Sequence, residues 1–126
     1  MDISELISLF ETNFEAMRDK FVINDILVSE ASNSTRGHIW KPGVYVFWHP
    51  SRGVIRVGRS FDNARKRALQ HISANTGGVM SKLDSDPDAR LILFSVKNPE
   101  DYFWIAALEV LFELRSSPEI KAGRLG

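Results

Sequence analysis

Two runs of β-branched and aromatic residues, GVYVFW at 43–48 and GVIRVG at 53–58, are separated only by His49, Pro50, Ser51 and Arg52. A connection this short between two such runs allows one arrangement, an antiparallel hairpin, and so fixes a β-sheet at the centre of the chain. A third run, RLILFSVK at 90–97, has a continuous apolar stretch within it, the pattern of a strand covered on both faces. What flanks these runs has helical spacing. Ile3, Leu6, Ile7, Phe10, Phe14 and Met17 form one stripe over residues 2–19, and Asp2 with Glu5 makes a capping box at its start. Asp62 or Asn63 caps a second helix reaching about Ser73, with Ala64, Ala68, Leu69 and Ile72 inward. Asn98 and Pro99 open a last helix through about Arg115, stopped by Ser116, Ser117 and Pro118. The stretch SANTGGVMSKLDSDPDA, 73–89, reads as mostly loop with at most one helical turn, and NDILVSEASNSTRGH, 24–38, as a loop or edge segment. The expected fold is α+β: a small antiparallel sheet of three strands flanked by helices, in the order β-β-α-(α)-β-α, with an extra amphipathic helix in front. Residues 1–40 are expected to form an N-terminal helix and connecting loop packed on a core domain at 41–126.

A chain of 126 residues, 44% hydrophobic, is about one domain and can bury a core without staples. With no cysteine, neither a disulfide framework nor a thiolate metal site can form. No apolar run approaches the roughly 20 residues of a membrane span, and the first residues lack a signal pattern, which predicts a soluble, cytoplasmic protein with no membrane partner. The formal net charge of zero conceals a segregation. Residues 52–67 carry six Lys/Arg against the single acid Asp62, whereas residues 84–113 carry seven acids against two basic residues. A basic segment on and after a hairpin is a candidate anion-binding surface.

Three positions invite a chemical reading, each beside a plainer one. Tyr45, between Val44 and Val46, is by composition a packed strand tyrosine. Arg67 and His71, four residues apart, share one helix face at the flank of the apolar stripe, either as a solvated basic face or turned toward a cleft at the sheet edge. Arg65 falls inside that stripe, where it must snorkel or meet a buried anion. Glu109 lies midway along a helix that is apolar nearly all round. There a carboxylate is either paired, hydrated or metal-bound, or part of a narrow water-facing stripe with Tyr102, Ala106, Glu113 and Ser116.

Taken in order, these pieces resemble the GIY-YIG nuclease superfamily. PGVYVF is similar to the first half of its signature, RVGRS to the second half with Arg56 in place of the tyrosine, and RALQH to its arginine helix. LEVLFELRSSP is similar to the segment carrying its acid ahead of a proline. The likeness spans residues 42 to about 121. It implies metal-dependent hydrolysis of nucleic-acid phosphodiesters, of DNA before RNA, with Mg²⁺ or Mn²⁺ held by Glu109. In that reading Tyr45 directs the attacking water, Arg67 grips the scissile phosphate, and His71 assists as proton carrier. Arg56 would bind phosphate in the vacated tyrosine position, while His49, Arg52, Arg59, Arg65 and Lys66 would contact the flanking backbone. Cutting both strands with one such site would require two copies, as in a homodimer, or two events. The alternative is a member of the same fold that has lost catalysis and acts as a nucleic-acid-binding or protein-interaction module.

Overall fold

A computed structural model describes residues 1–74 and 78–122. Its sheet is antiparallel and has four strands, β1 (Phe21–Leu27), β2 (Gly43–His49), β3 (Gly53–Ser60) and β4 (Arg90–Val96), in the order β1-β4-β2-β3. The expected three strands are thus corrected to four. β1 pairs along its whole length with β4, from Phe21 opposite Val96 to Leu27 opposite Arg90. Its pattern is hidden in the sequence because Asn24 and Asp25 interrupt the apolar run. Both find partners at this outer edge, Asn24 Nδ2 donating to the Gly37 carbonyl at 3.0 Å and Asp25 accepting from Arg90 Nε at 2.7 Å.

Helices cover both faces. On one face α2 (Ala64–Ala74) and α3 (Val79–Lys82) pack Ala64, Ala68, Ile72 and Met80 against Tyr45, Phe47, Ile55, Leu91 and Leu93. On the other, α1 (Ile3–Asn13) and α4 (Tyr102–Arg115) pack Leu6, Phe10, Ile105, Leu108 and Phe112 against Val44, Val46, Val57, Ile92 and Phe94. Alternate residues of β2 and β4 therefore serve opposite cores, which is why Leu91–Phe94 is continuously apolar.

The capping box forms as expected, with Asp2 Oδ1 accepting from Glu5 N at 2.7 Å. The helix ends earlier than expected, at Asn13, and continues as a 3₁₀ segment over Glu15–Lys20. Phe14 and Met17 are three residues apart, and a three-residue turn keeps both against the core. Asn63 is the cap of α2, its Oδ1 accepting from Lys66 N at 2.9 Å. The expected loop before β4 contains α3 and a 3₁₀ turn at Leu83–Ser85, while its portion at 75–77 lies outside the described residues, as does the end of the expected core domain at 123–126. No described helix is long and apolar enough to cross a membrane.

Turn and bulge geometry decide where the hairpin sends its side chains. The turn closes with Arg52 N donating to the His49 carbonyl at 3.1 Å, and Gly53 then takes a left-handed φ of 73° to re-enter β3. Between Phe47 and Trp48 the register shifts, so that Arg56 pairs with Phe47 but Val54 with Trp48, leaving Ile55 as the extra residue of a bulge. The bulge lets Ile55 enter the α2-side core while Arg56 remains on the Tyr45 side of the sheet.

After α4 the chain reverses through Ser117, whose φ is 50°, and returns along β3. Glu119 N and Ile120 N donate to the carbonyls of Val54 and Ile55 at 3.1 and 2.8 Å. The outer edge of β3 is thus covered over its first residues. Its later residues border a cavity.

Candidate functional site

The cavity, of about 280 Å³, lies where the two faces of the sheet meet around the later part of β3. Tyr45, Arg56 and Gly58 reach it from the α2 side, since Tyr45 pairs with Gly58 and Phe47 with Arg56. Arg67 and His71 enter from α2, one helical turn apart. Arg59 pairs with Val44 and so points to the other face, where it meets Glu109 of α4. Tyr45, Arg56, Arg67, His71 and Glu109, five residues from four elements, line this one space together with Arg59.

Tyr45 is wholly buried, yet it is more than packing. Its hydroxyl stands 2.8 Å from His71 Nδ1, with the two rings edge to face at 5.5 Å. Burial pushes the phenol up to about 12, against the opposing pull of the Arg67 and Arg56 charges. Burial and the same two guanidiniums bring His71 down to about 4. At neutral pH both groups are therefore uncharged. Two neutral groups can share this bond in either sense; with the imidazole proton on Nε2, Tyr45 O–H donates to Nδ1.

Gly58 makes this arrangement sterically possible. A Cβ there would lie 2.5 Å from Tyr45 Cε2 and closer still to Cζ and Oη. The Tyr45 ring lies across the backbone of the opposite strand, and only glycine leaves room for it.

Glu109 is buried, which removes the water-facing alternative for it, and Glu113 and Ser116 are buried with it. Its Oε1 accepts from Arg59 Nη1, and the Arg59 guanidinium also lies 5.0 Å from the centre of the Phe61 ring. Among the described residues Glu109 is the one carboxylate lining the cavity. A single hard oxygen donor completed by waters suits Mg²⁺ or Mn²⁺, so the residues present fit such an ion, provided Arg59 yields its hold on the carboxylate.

The remaining basic residues are placed elsewhere. Arg52 Nε donates to Glu119 Oε1 at 2.8 Å and its Nη2 to Oε2, fastening the returning tail to the hairpin turn. Arg65 Nη1 donates to the Ser34 carbonyl at 2.9 Å, the capped form of the snorkelling expected from its place in the stripe. Arg65 and the exposed Lys66 line a separate groove along α2, of about 750 Å³, with Asn63, Gln70 and Asp84.

His49 Nε2 is 3.0 Å from Asp86 Oδ2, and with Asp88 these residues form a group whose ligand atoms lie within 4.8 Å of one another. Ser51 N donates to His49 Nδ1 at 3.1 Å, which assigns the ring proton to Nε2, facing Asp86. The three side chains could hold a cation that displaced this proton; without one, the His49–Asp86 contact ties the hairpin turn to the segment before β4.

Sequence reasoning missed Phe61, which lines the cavity half-exposed. The available signal was an aromatic residue between the strand exit and the helix cap, belonging to neither apolar stripe. The chain matches no family model, no curated protein and no solved structure. A functional reading therefore has to be drawn from the chemistry of the cavity.

Proposed function

We propose that the cavity binds a nucleic-acid phosphodiester, DNA in the first instance, and hydrolyses it with a divalent cation, Mg²⁺ or Mn²⁺, held by Glu109. The observation that carries this reading is the convergence of three guanidiniums, those of Arg56, Arg59 and Arg67, with a partly buried Tyr–His hydrogen bond and one carboxylate on a single cavity at a sheet edge. A phosphodiester is an anion whose charge concentrates on its equatorial oxygens during attack, so preorganised cations are what its transition state requires. The cation on Glu109 would supply Lewis-acid neutralisation of that charge.

The protein's own groups divide the rest. Arg67, exposed on α2, grips the non-bridging oxygens with its guanidinium fork, and Arg56 adds a second positive charge on the sheet side. A water attacking phosphorus gives its proton to Tyr45 Oη as the phenol passes its own to His71 Nδ1. Unliganded, His71 is a weak base because Arg56 and Arg67 face it. An anion bound between those two guanidiniums offsets their field and raises its basicity, so the relay gains strength when substrate is present. The P–O bond to the leaving oxygen then breaks, and that oxygen takes a proton from solvent.

The ion pair between Arg59 and Glu109 favours a second reading, in which Arg59 permanently satisfies the carboxylate and the cavity binds nucleic acid without cutting it. One experiment separates the two. Purified protein is incubated with Mg²⁺ or Mn²⁺ and single-stranded, duplex and branched DNA and RNA. The hydrolytic reading predicts metal-dependent cleavage that Glu109→Ala lowers by roughly 100-fold or more. Salt-sensitive binding without cleavage establishes the second reading. Cleavage undiminished in Glu109→Ala refutes the assignment of the site.

A further inference from the structure

Beside the cavity mouth, aromatic rings stand in the open. Phe61, Tyr102 and Phe103 are each about half exposed, at 49%, 53% and 54%. They are contiguous: Phe61 and Tyr102 have ring centres 6.0 Å apart and meet edge to face, as do Tyr102 and Phe103 at 5.9 Å. Phe61 belongs to the cavity wall, and Arg59 lies over its ring while holding Glu109. Tyr102 is seven residues before Glu109, two helical turns along the same face of α4. The ring patch and the charged cavity are therefore one continuous surface, and folding alone gives no reason to leave three large rings in water.

We infer that Phe61, Tyr102 and Phe103 form a stacking platform for an unpaired base of the strand whose phosphate occupies the cavity, which makes single-stranded or frayed nucleic acid the substrate class. This rests on the phosphodiester reading of the cavity. In a duplex the base faces are buried against one another, so an aromatic face beside a phosphate site can be used only by a base outside the stack. The complementarity is in charge: Arg56 and Arg67 draw the backbone to the cavity, and Phe61 in its wall carries the ring patch up to that phosphate site. Stacking is tolerant of base identity, so the platform selects strand state rather than sequence.

The test is fluorescence anisotropy of the full chain at low salt without divalent metal, using a short labelled DNA strand and the same sequence as a duplex. Tyr102→Ala and Phe103→Ala should each weaken single-strand binding by roughly tenfold to a hundredfold and change duplex binding by less than about twofold. Tyr102→Phe, which keeps the ring, should bind as wild type. Tyr102→Leu, which keeps apolar bulk and packing without a π face, should fail like Tyr102→Ala and guards against a merely structural loss. Equal weakening on both substrates, or no change on either, overturns the platform while leaving the phosphate site standing. If neither substrate binds the wild type, platform and phosphodiester reading fall together. A wild-type dimer that Tyr102→Ala dissociates would instead assign the rings to an interface between copies, and also overturns the proposal.

Discussion

Replacing Gly58 with alanine should uncouple the site while leaving every charged residue in place. The added Cβ would lie 2.5 Å from Tyr45 Cε2 and nearer to Cζ and Oη, more than 1 Å inside the ~3.5–4 Å of carbon contact. The Tyr45 ring is wholly buried and cannot tilt away without leaving the His71 Nδ1 it bonds at 2.8 Å. Overpacking of this kind costs about 1–3 kcal/mol. The lost hydrogen bond adds about 0.5–1.5 kcal/mol, so Gly58→Ala should destabilise by roughly 2–4 kcal/mol.

The cause can be isolated in a double-mutant cycle. Tyr45→Ala alone should cost about 3–5 kcal/mol as a large-to-small core change. With the ring gone, Gly58→Ala should cost nothing and should gain about 0.5–1 kcal/mol, because glycine within a strand is worse than alanine by that amount. Urea unfolding followed by tryptophan fluorescence of the four proteins gives the coupling, expected at about 2 kcal/mol or more. Additivity within about 0.5 kcal/mol would refute the claim that Gly58 exists to seat the Tyr45 ring.

Other perturbations have equally definite outcomes. Gly43→Ala should be among the most disruptive small changes in the chain, since its Cβ would meet the Phe94 carbonyl oxygen and lie 2.9 Å from Ser95 Cα; a fall in the urea midpoint larger than that of Gly58→Ala checks this. In a spectrophotometric titration at 295 nm, one of the two tyrosines should resist ionisation to about pH 12, and Tyr45→Phe should remove that phase. His71 binds a proton less readily folded, at about 4, than unfolded, near 6.5, so its contribution is intact above pH 6.5 and is lost as pH falls toward 4. For a half-buried ring, screening reduces this to about 1–2 kcal/mol, read as the extra acid sensitivity of wild type over His71→Gln in urea unfolding. Arg59 and a cation compete for the same carboxylate, so Arg59→Ala should tighten Mn²⁺ binding, measured by electron paramagnetic resonance, by about tenfold or more.

The elements that the sequence disclosed are those in which one local pattern decides the outcome. The hairpin, the strand at 90–96, the capping box and both long core helices follow from period, caps and turn residues. β1 did not, because its pairing with β4 supplies from a distance what Asn24 and Asp25 take away locally. Within the site, Tyr45, Arg56, Arg67, His71 and Glu109 were singled out together by the resemblance to a known family, since local pattern alone left a plainer reading for each, and they line one cavity. Their partners were not legible: that Tyr45 bonds His71, and that Arg59 rather than Arg56 holds Glu109, depends on which face of the sheet each side chain takes after the bulge at Ile55. Likewise Arg52 and His49 read in sequence as backbone-contacting groups and Arg65 as a snorkelling or anion-bound one, yet tertiary structure brings Glu119, Asp86 and the Ser34 carbonyl against them.

Whether Glu109 holds the catalytic cation can be seen directly by locating Mn²⁺ through anomalous scattering in crystals soaked with the ion. Metal-dependent hydrolysis at this cavity predicts a peak on the Glu109 carboxylate, in the space shared with Tyr45 and Arg67, with Arg59 moved off Oε1. A peak only at His49, Asp86 and Asp88, with Arg59 still bonded to Glu109, would contradict it.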